Sequence, residues 1–403
     1  MNIISRKHYI DKIEHWLGRQ QIIVLIGQRR VGKSFILKDF INLHKADDSS
    51  NIIYVNKEKS QFDHIRTHSD LNGYIESSFL KDKHNYILID EVQEIQEWEK
   101  TVRSYQTEGN TDIIITGSNS KMLSGELSTL IGGRYQEILV QSLTYNEFLK
   151  FHNLEDTDDS LWAYLNFGGL PGLVQTGIDD EDLISEYLNG VFNTIMLKDI
   201  IERHSIRNIT FLNNLIRFFA DTVGKLSSIS NICGYLKGQG QDVSTKTVSA
   251  YLDYFSEAYL ISPVHRFDIH GKKILESNDK VYFGDIGLRN IIAGGERDSD
   301  IEKIIENAVY LHLVNLGYKV SVGQLRVGEV DFICTRTNDR RYVQVAYIIN
   351  NEETVVREFG RLQNINDNYP KYVISMTPLV RRSDYEGIIH IGLREFLKNG
   401  FGR

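Results

Sequence analysis

Apolar residues in the first part of the chain come in short bursts separated by longer stretches with helical spacing. The bursts Gln21–Ile26, Asn51–Val55, Tyr86–Asp90, Asp112–Thr116 and Gln136–Val140 are rich in isoleucine and too short for helices, so they predict strands. Amphipathic stretches at Lys33–Leu43, Leu71–Lys81 and Glu97–Tyr105 lie between them. Strands alternating with helices predict a mostly parallel sheet covered on both faces. The pattern changes at Asn153–Ser160, an acidic, polar run that reads as a linker. Helical spacing then runs from Leu161 to about Arg203, broken at Gly168-Gly169-Leu170-Pro171-Gly172, where proline stops a helix and glycine permits a turn.

Three further helices are predicted at Phe211–Val223, Ile229–Leu236 and Ser244–Tyr259, the last opened by Ser244 as N-cap. Strands at Ile261–Phe267 and Lys273–Glu276 follow, giving the outline of a winged helix-turn-helix. Its third helix buries Val248, Leu252, Phe255 and Tyr259 and turns Thr245, Lys246, Ser249 and Asp253 outward. Lys246, with Lys237 and Arg266, suits DNA; Asp253 and Glu257 oppose it, and a protein contact is the alternative. A last αβ unit has a helix at Ile301–Leu316 and strands at Lys319–Val322, Glu329–Cys334 and Arg341–Tyr347. The helix Thr354–Ile365 and the strand Lys371–Ser375 complete it. The expected domains are residues 1–152, a helical lid or linker over 153–205, a winged-helix-like domain over 206–288 and an αβ domain over 289–403.

Composition narrows the class. The 403 residues exceed one ordinary core, and 41% hydrophobic residues is a globular proportion. No apolar run approaches the roughly 18–20 residues that cross a membrane, and Met1–Lys12 is polar, so no membrane association and a cytoplasmic location are expected. Cys233 and Cys334 are too few and too far apart for a disulfide framework or a zinc cluster. A net charge of −8 argues against general coating of nucleic acid but leaves room for a local basic face.

The chemistry is concentrated early. Gly27, Gln28, Arg29, Arg30, Val31, Gly32, Lys33 and Ser34 form Gly-x-x-x-x-Gly-Lys-Ser between a predicted strand and a predicted helix. Glycines let backbone N–H groups wrap phosphates, and the helix N-terminus adds a positive dipole end. Lys33 is then placed for the β- and γ-phosphates of ATP and Ser34 for Mg²⁺. The apolar strand Tyr86–Asp90 ends in two acids, Asp90 as a Mg²⁺ partner and Glu91 as the base for water. A third strand ends Thr116-Gly117-Ser118-Asn119, with Ser118 the first choice for a γ-phosphate sensor and Thr116 and Asn119 behind it; capping of a following helix is the competing reading. Arg134, in Gly132-Gly133-Arg134, is a candidate arginine finger or a solvated arginine.

In order, these motifs resemble the prokaryotic AAA-like P-loop ATPases that carry a C-terminal domain of unknown function. The matching pieces are Gly27–Ser34, Ile87–Gln93, Ile115–Ser118, Gly133-Arg134, Leu143–Phe148 and Gly168–Pro171. Tyr282–Leu288, Glu306-Asn307 and Glu329–Phe332 extend the match over nearly the whole chain. The resemblance implies an α/β multidomain protein with a parallel-sheet ATPase core, its sensor strand between the phosphate-loop and Asp-Glu strands, and ATP hydrolysis.

The last αβ unit resembles the PD-(D/E)xK nuclease core, restriction-endonuclease-like, with Glu306 as the helix acid and Asp331 as the strand acid. Where Glu-x-Lys belongs the chain reads Gln344-Val345-Ala346. Glutamine is a weaker Mg²⁺ ligand than a carboxylate, and alanine cannot replace lysine, so cleavage is disfavoured. Glu329, two positions before Asp331, should share its strand face and supply a further carboxylate. Arg326, Arg336, Arg340 and Arg341 form either a phosphate-gripping or a plain solvated surface. The expected function is an ATP-driven switch coupled to DNA or a protein partner, with an ATP-dependent nuclease disfavoured.

Overall fold

A computed structural model describes residues 4–118, 132–238, 240, 243–294, 300–378 and 382–402. The chain divides into two compact units, Met1–Gln141 with Glu257–Tyr259, and Ser142–Ser256 with Leu260–Arg403.

The first unit runs α1 (Lys7–Trp16), β1 (Ile22–Ile26), α2 (Lys33–His44), β2 (Ser50–Asn56), α3 (His68–Ser78), β3 (His84–Asp90), α4 (Trp98–Gln106), β4 (Thr111–Gly117) and β5 (Tyr135–Leu139). All five strands are parallel, in the order β2-β3-β4-β1-β5. Every residue of β1 and β4 is buried, which is why neither alternates: β1 is apolar throughout and β4 centres on the run Ile113–Ile115. Ile22, Val24, Ile53, Ile87, Ile113 and Ile115 share one core with Leu71 and Val102 of the helices. Strand β4 lies between the phosphate-loop strand β1 and the Asp-Glu strand β3, the order the family resemblance implied. Helix α3 starts at His68, before the expected Leu71, because Thr67 and Asp70 form a reciprocal capping box.

The second unit opens with α5 (Tyr145–His152), α6 (Asp158–Phe167) and α7 (Glu181–Thr194), continued by a π-helical stretch over Ile195–Glu202. Then come α8 (Ile209–Asp221), α9 (Ile229–Gly238), α10 (Thr245–Glu257), β6 (Ile261–Asp268), β7 (Lys273–Phe283), α11 (Ile286–Ala293) and α12 (Ile301–Asn315). The chain ends through β8 (Lys319–Gln324), β9 (Glu329–Arg336), β10 (Asp339–Ala346), α13 (Glu352–Gln363), β11 (Lys371–Ser375), β12 (Ser383–Tyr385), β13 (Ile388–Gly392) and α14 (Leu393–Asn399). Helix α5 belongs to this unit although it precedes the expected boundary after residue 152, and the expected boundaries at 205/206 and 288/289 fall inside the unit.

The Gly168-Gly169 and Tyr282–Leu288 motifs meet here. Asp285 Oδ2 accepts from Gly169 N at 2.9 Å, and its Oδ1 caps α11 by accepting from Leu288 N at 3.0 Å. Gly168 (φ 77°) lies so close that a Cβ would sit 2.4 Å from Gly287 N. Asn307 works similarly on the strand, accepting from Phe283 N at 2.7 Å and donating to Phe283 O at 3.0 Å.

The helix-helix-helix-hairpin order occurs as expected, but the hairpin is not free-standing. Strand β6 pairs in parallel with β8, so β6 and β7 form one end of an eight-stranded sheet, β12-β13-β11-β10-β9-β8-β6-β7. Strand β7 also runs on to Phe283, well past the expected Glu276. A bulge carries it on: Arg266 pairs with Leu275, Val264 pairs with Lys280, and Asn278 takes φ 63° in the excursion between. The polar run before Lys280 is thus a kink within the strand, and Lys280 re-enters the ladder.

Candidate nucleotide site and a second carboxylate centre

Residues 27–32 turn the chain from β1 into α2. Gly27 has φ 141°, and a Cβ there would fall 2.1 Å from the Val140 carbonyl oxygen, so no larger residue fits. Arg30 (φ 70°) and Gly32 (φ 98°) complete the turn, and Gly32 is the N-cap of α2. The first N–H groups of the helix therefore face back over the loop. Lys33 Nζ is buried and donates to the carbonyls of Gly27 at 2.8 Å and Gln28 at 3.0 Å. The Gln28 side chain is buried too, and neither of its polar atoms has a partner among the described residues. Arg29 is half-buried and Arg30 exposed. Arg6, which sequence reasoning did not single out, braces the loop from outside: its Nη1 donates to Val31 O at 3.0 Å and Gln141 O at 2.9 Å.

Strand β3 delivers Asp90 to the loop. Ser34 Oγ donates to Asp90 Oδ1 at 3.1 Å, and Thr116 Oγ1 donates to the same oxygen at 2.7 Å. On the other oxygen, Oδ2, Asn56 Nδ2 lies at 3.1 Å and Tyr54 OH at 3.3 Å. Burial pushes the Asp90 carboxyl above its ordinary range, against the hydrogen bonds from Thr116 and Ser34 and with help from neighbouring Glu91. Burial likewise raises the Tyr54 hydroxyl, with Asp90 adding to the effect, so Tyr54 is a neutral donor. Glu91 is buried in the left-handed region (φ 58°, ψ 55°); its N–H donates to Thr116 Oγ1 at 2.9 Å and its carboxylate accepts from Gln93 Nε2.

Among the three sensor candidates, Thr116 touches both Asp90 and Glu91 through its hydroxyl. Ser118 is buried just past the end of β4, and Asn119 lies outside the described residues. Asn56 and Tyr54 were missed because they sit on β2, where only the β2–β3 register (Asn56 opposite Asp90) brings them in. Arg134 does not join this group within one chain. It is exposed and immediately precedes β5, whose Tyr135 pairs with Ile22 at the start of β1, whereas the loop follows Ile26 at the other end.

In the second unit, β9 and α12 bring Glu306, Glu329 and Asp331 together, so Glu329 does share the face of Asp331. The unforeseen member is Lys280 of β7, fully buried, with Nζ 2.9 Å from Glu306 Oε1, 3.0 Å from Glu329 Oε1 and 3.0 Å from Asp331 Oδ1. Gln344 Oε1 accepts from Asp331 N at 3.3 Å while its Nε2 donates to Glu358 Oε2 at 3.0 Å. Ala346 is buried at the end of β10. Among the described residues no helix is long and apolar enough to cross a membrane.

A parallel sheet with this strand order, a phosphate loop after β1 and an acid pair at the end of β3 define a P-loop ATPase of AAA-like type. Residues 19–149 match an AAA domain family, and residues 158–299 match a domain of unknown function, DUF8612. The chain belongs to the same family as an uncharacterised protein of Haemophilus influenzae, with 36% identity over 383 residues, 93% of either chain. It is similar over 400 residues to an uncharacterised protein of Methanocaldococcus jannaschii, at 34% identity, covering 91% of this chain and 86% of that one. Its fold is similar to that of a Walker-type ATPase of Pyrococcus abyssi, with TM-score 0.51 and 17% identity over 72% of this chain and 96% of the other.

Proposed function

We propose that the protein binds and hydrolyses ATP with Mg²⁺ at the loop of residues 27–34, and that the nucleotide state switches its contact with a DNA or protein partner. The observation that carries this reading is the meeting of Ser34 and Asp90 at 3.1 Å directly beside the loop. A serine hydroxyl and a carboxylate are hard oxygen donors of the kind Mg²⁺ takes. The orphaned amide of Gln28 fits a polar ligand lying against the loop. Ser34 and Asp90 would hold the metal, which supplies charge neutralisation to the β- and γ-phosphates. Lys33, now spent on two loop carbonyls, exchanges those bonds for phosphate oxygens. Glu91 takes the proton from the attacking water, and Thr116 holds Glu91 and Asp90 in register, with Ser118 just past the end of the same strand.

The test is ATP affinity and turnover of Lys33→Ala against wild type. Binding should weaken or turnover vanish while the melting temperature holds; unchanged affinity and rate would sink the assignment.

A DNA partner is favoured by one feature of α10. Ser244 Oγ accepts from Thr247 N at 3.1 Å, fixing a helix start that leaves Thr245 and Lys246 exposed. ATPase rate measured with and without duplex DNA across a salt series decides this. Stimulation that falls steeply with salt supports DNA; a flat response assigns the switch to a protein partner.

A further inference from the structure

The carboxylates Glu306, Glu329 and Asp331 come from α12 and β9, and Lys280 reaches them from β7. An ammonium group has three donors, and Lys280 Nζ meets three carboxylate oxygens at 2.9, 3.0 and 3.0 Å. Its hydrogen-bonding capacity is therefore filled by the centre. Tyr282, two residues along β7, adds a hydrogen bond to Glu306 Oε1 at 2.6 Å. Burial works against the charge on Lys280, but the carboxylates of Asp331, Glu306 and Glu329 outweigh it and hold the ammonium above its ordinary range. Mg²⁺ would need the same oxygens at about 2.0–2.1 Å, a sphere that leaves no room for an ammonium bonded to all three.

We propose that Lys280 is a built-in cation: its ammonium occupies the position a divalent metal would take among Glu306, Glu329 and Asp331. The centre then binds no metal in the native protein, and replacing Lys280 by an uncharged residue opens a divalent-cation site. Lys280 thereby joins the hairpin to the α12–β9 core by charge, where a metal-dependent enzyme would keep the same acids open for chemistry. This inference is independent of ATP hydrolysis, since none of its residues belongs to the loop of residues 27–34.

Mn²⁺ titration of nucleotide-free protein, followed by electron paramagnetic resonance, tests it on wild type, Lys280→Ala, Asp331→Asn and the double variant. Lys280→Ala should take up one Mn²⁺ per chain more than wild type, and the double variant should lose that gain. The melting temperature of Lys280→Ala should rise with Mn²⁺ more than that of wild type. If Lys280→Ala does not fold, K280A/E329Q, with one uncompensated negative charge fewer, must show the same gain. Absence of the gain overturns the proposal. So does a wild-type Mn²⁺ site that disappears in Asp331→Asn. Mg²⁺-dependent DNA cleavage by wild type, lost in both Lys280→Ala and Asp331→Asn, would also overturn it and make Lys280 a catalytic residue.

Discussion

Thr116 links the two acids of the nucleotide centre, since one hydroxyl donates to Asp90 Oδ1 and accepts from Glu91 N. Thr116→Val keeps the shape and removes both bonds. At about 1 kcal/mol for each bond, turnover is expected to fall by about tenfold or more while ATP affinity changes little; steady-state kinetics with a direct binding assay separates the two. Glu91→Gln removes basicity and leaves the hydrogen-bonding shape. It should slow hydrolysis by ~10²-fold or more and retain bound ATP, and a mutant that turns over normally moves the base elsewhere. The sequence shows Lys33, Ser34, Asp90 and Glu91 because each belongs to a contiguous motif beside a strand. Asn56, Tyr54 and Arg6 carry no such mark. They reach the centre through strand register or a long-range bond to a carbonyl, and neither leaves a local pattern. Lys280 was hidden for the same reason: its three partners Glu306, Glu329 and Asp331 lie between 26 and 51 positions away on α12 and β9.

At the level of elements, hydrophobic spacing revealed the strands of the parallel sheet and the helices between them, because burial on both faces leaves continuous apolar runs. It could not reveal that β6 pairs with β8, a partner beyond β7 and two helices, or that a bulge carries β7 through the polar run before Lys280. Nor does spacing show why Gly168-Gly169 and Asp285 belong together. Asp285 is fully buried, and burial pushes its carboxyl up against the hydrogen bonds from Gly169 and Leu288. Asp285→Ala would leave those buried N–H groups unpaired, so a loss of about 2–4 kcal/mol in urea unfolding is expected. Helix α12 carries a second, pH-dependent liability. His312 is buried with both ring nitrogens unpartnered among the described residues, 5.0 Å from the Phe396 ring of α14, and burial lowers its pKa from 6.5 to about 4. The folded form holds the neutral ring while the unfolded chain takes up a proton. This contribution is therefore complete above about pH 6.5 and lost as pH falls towards 4, up to roughly 3 kcal/mol. His312→Leu should shrink the stability difference between pH 7 and pH 4.5; an unchanged difference would show that His312 is not the group responsible.

For the molecule as a whole, the remaining candidate is Arg134, whose motif pointed to phosphoryl transfer while its position does not. The backbone at Arg134 is hydrogen-bonded to Ile22 N at 3.1 Å and to Gln106 Nε2 at 2.8 Å, which pins it to the start of β1. The phosphate loop packs on Val140, six residues on and just past the far end of β5, a distance of roughly 20 Å at about 3.3 Å per residue. That exceeds what an arginine side chain spans, so Arg134 cannot reach the phosphates held by its own loop. An exposed guanidinium at the far edge of the sheet can still act on a nucleotide bound by a second copy of the chain. If it does, ATPase activity per chain should rise with protein concentration, and Arg134→Ala should lower the rate without weakening ATP binding. Mixing Arg134→Ala with Lys33→Ala then gives a pair in which one chain offers an intact loop and the other an intact arginine, and activity should recover above the sum of the two alone. Activity per chain that is independent of concentration, with no recovery on mixing, would leave Arg134 as a solvated arginine and the protein as a switch that works one chain at a time.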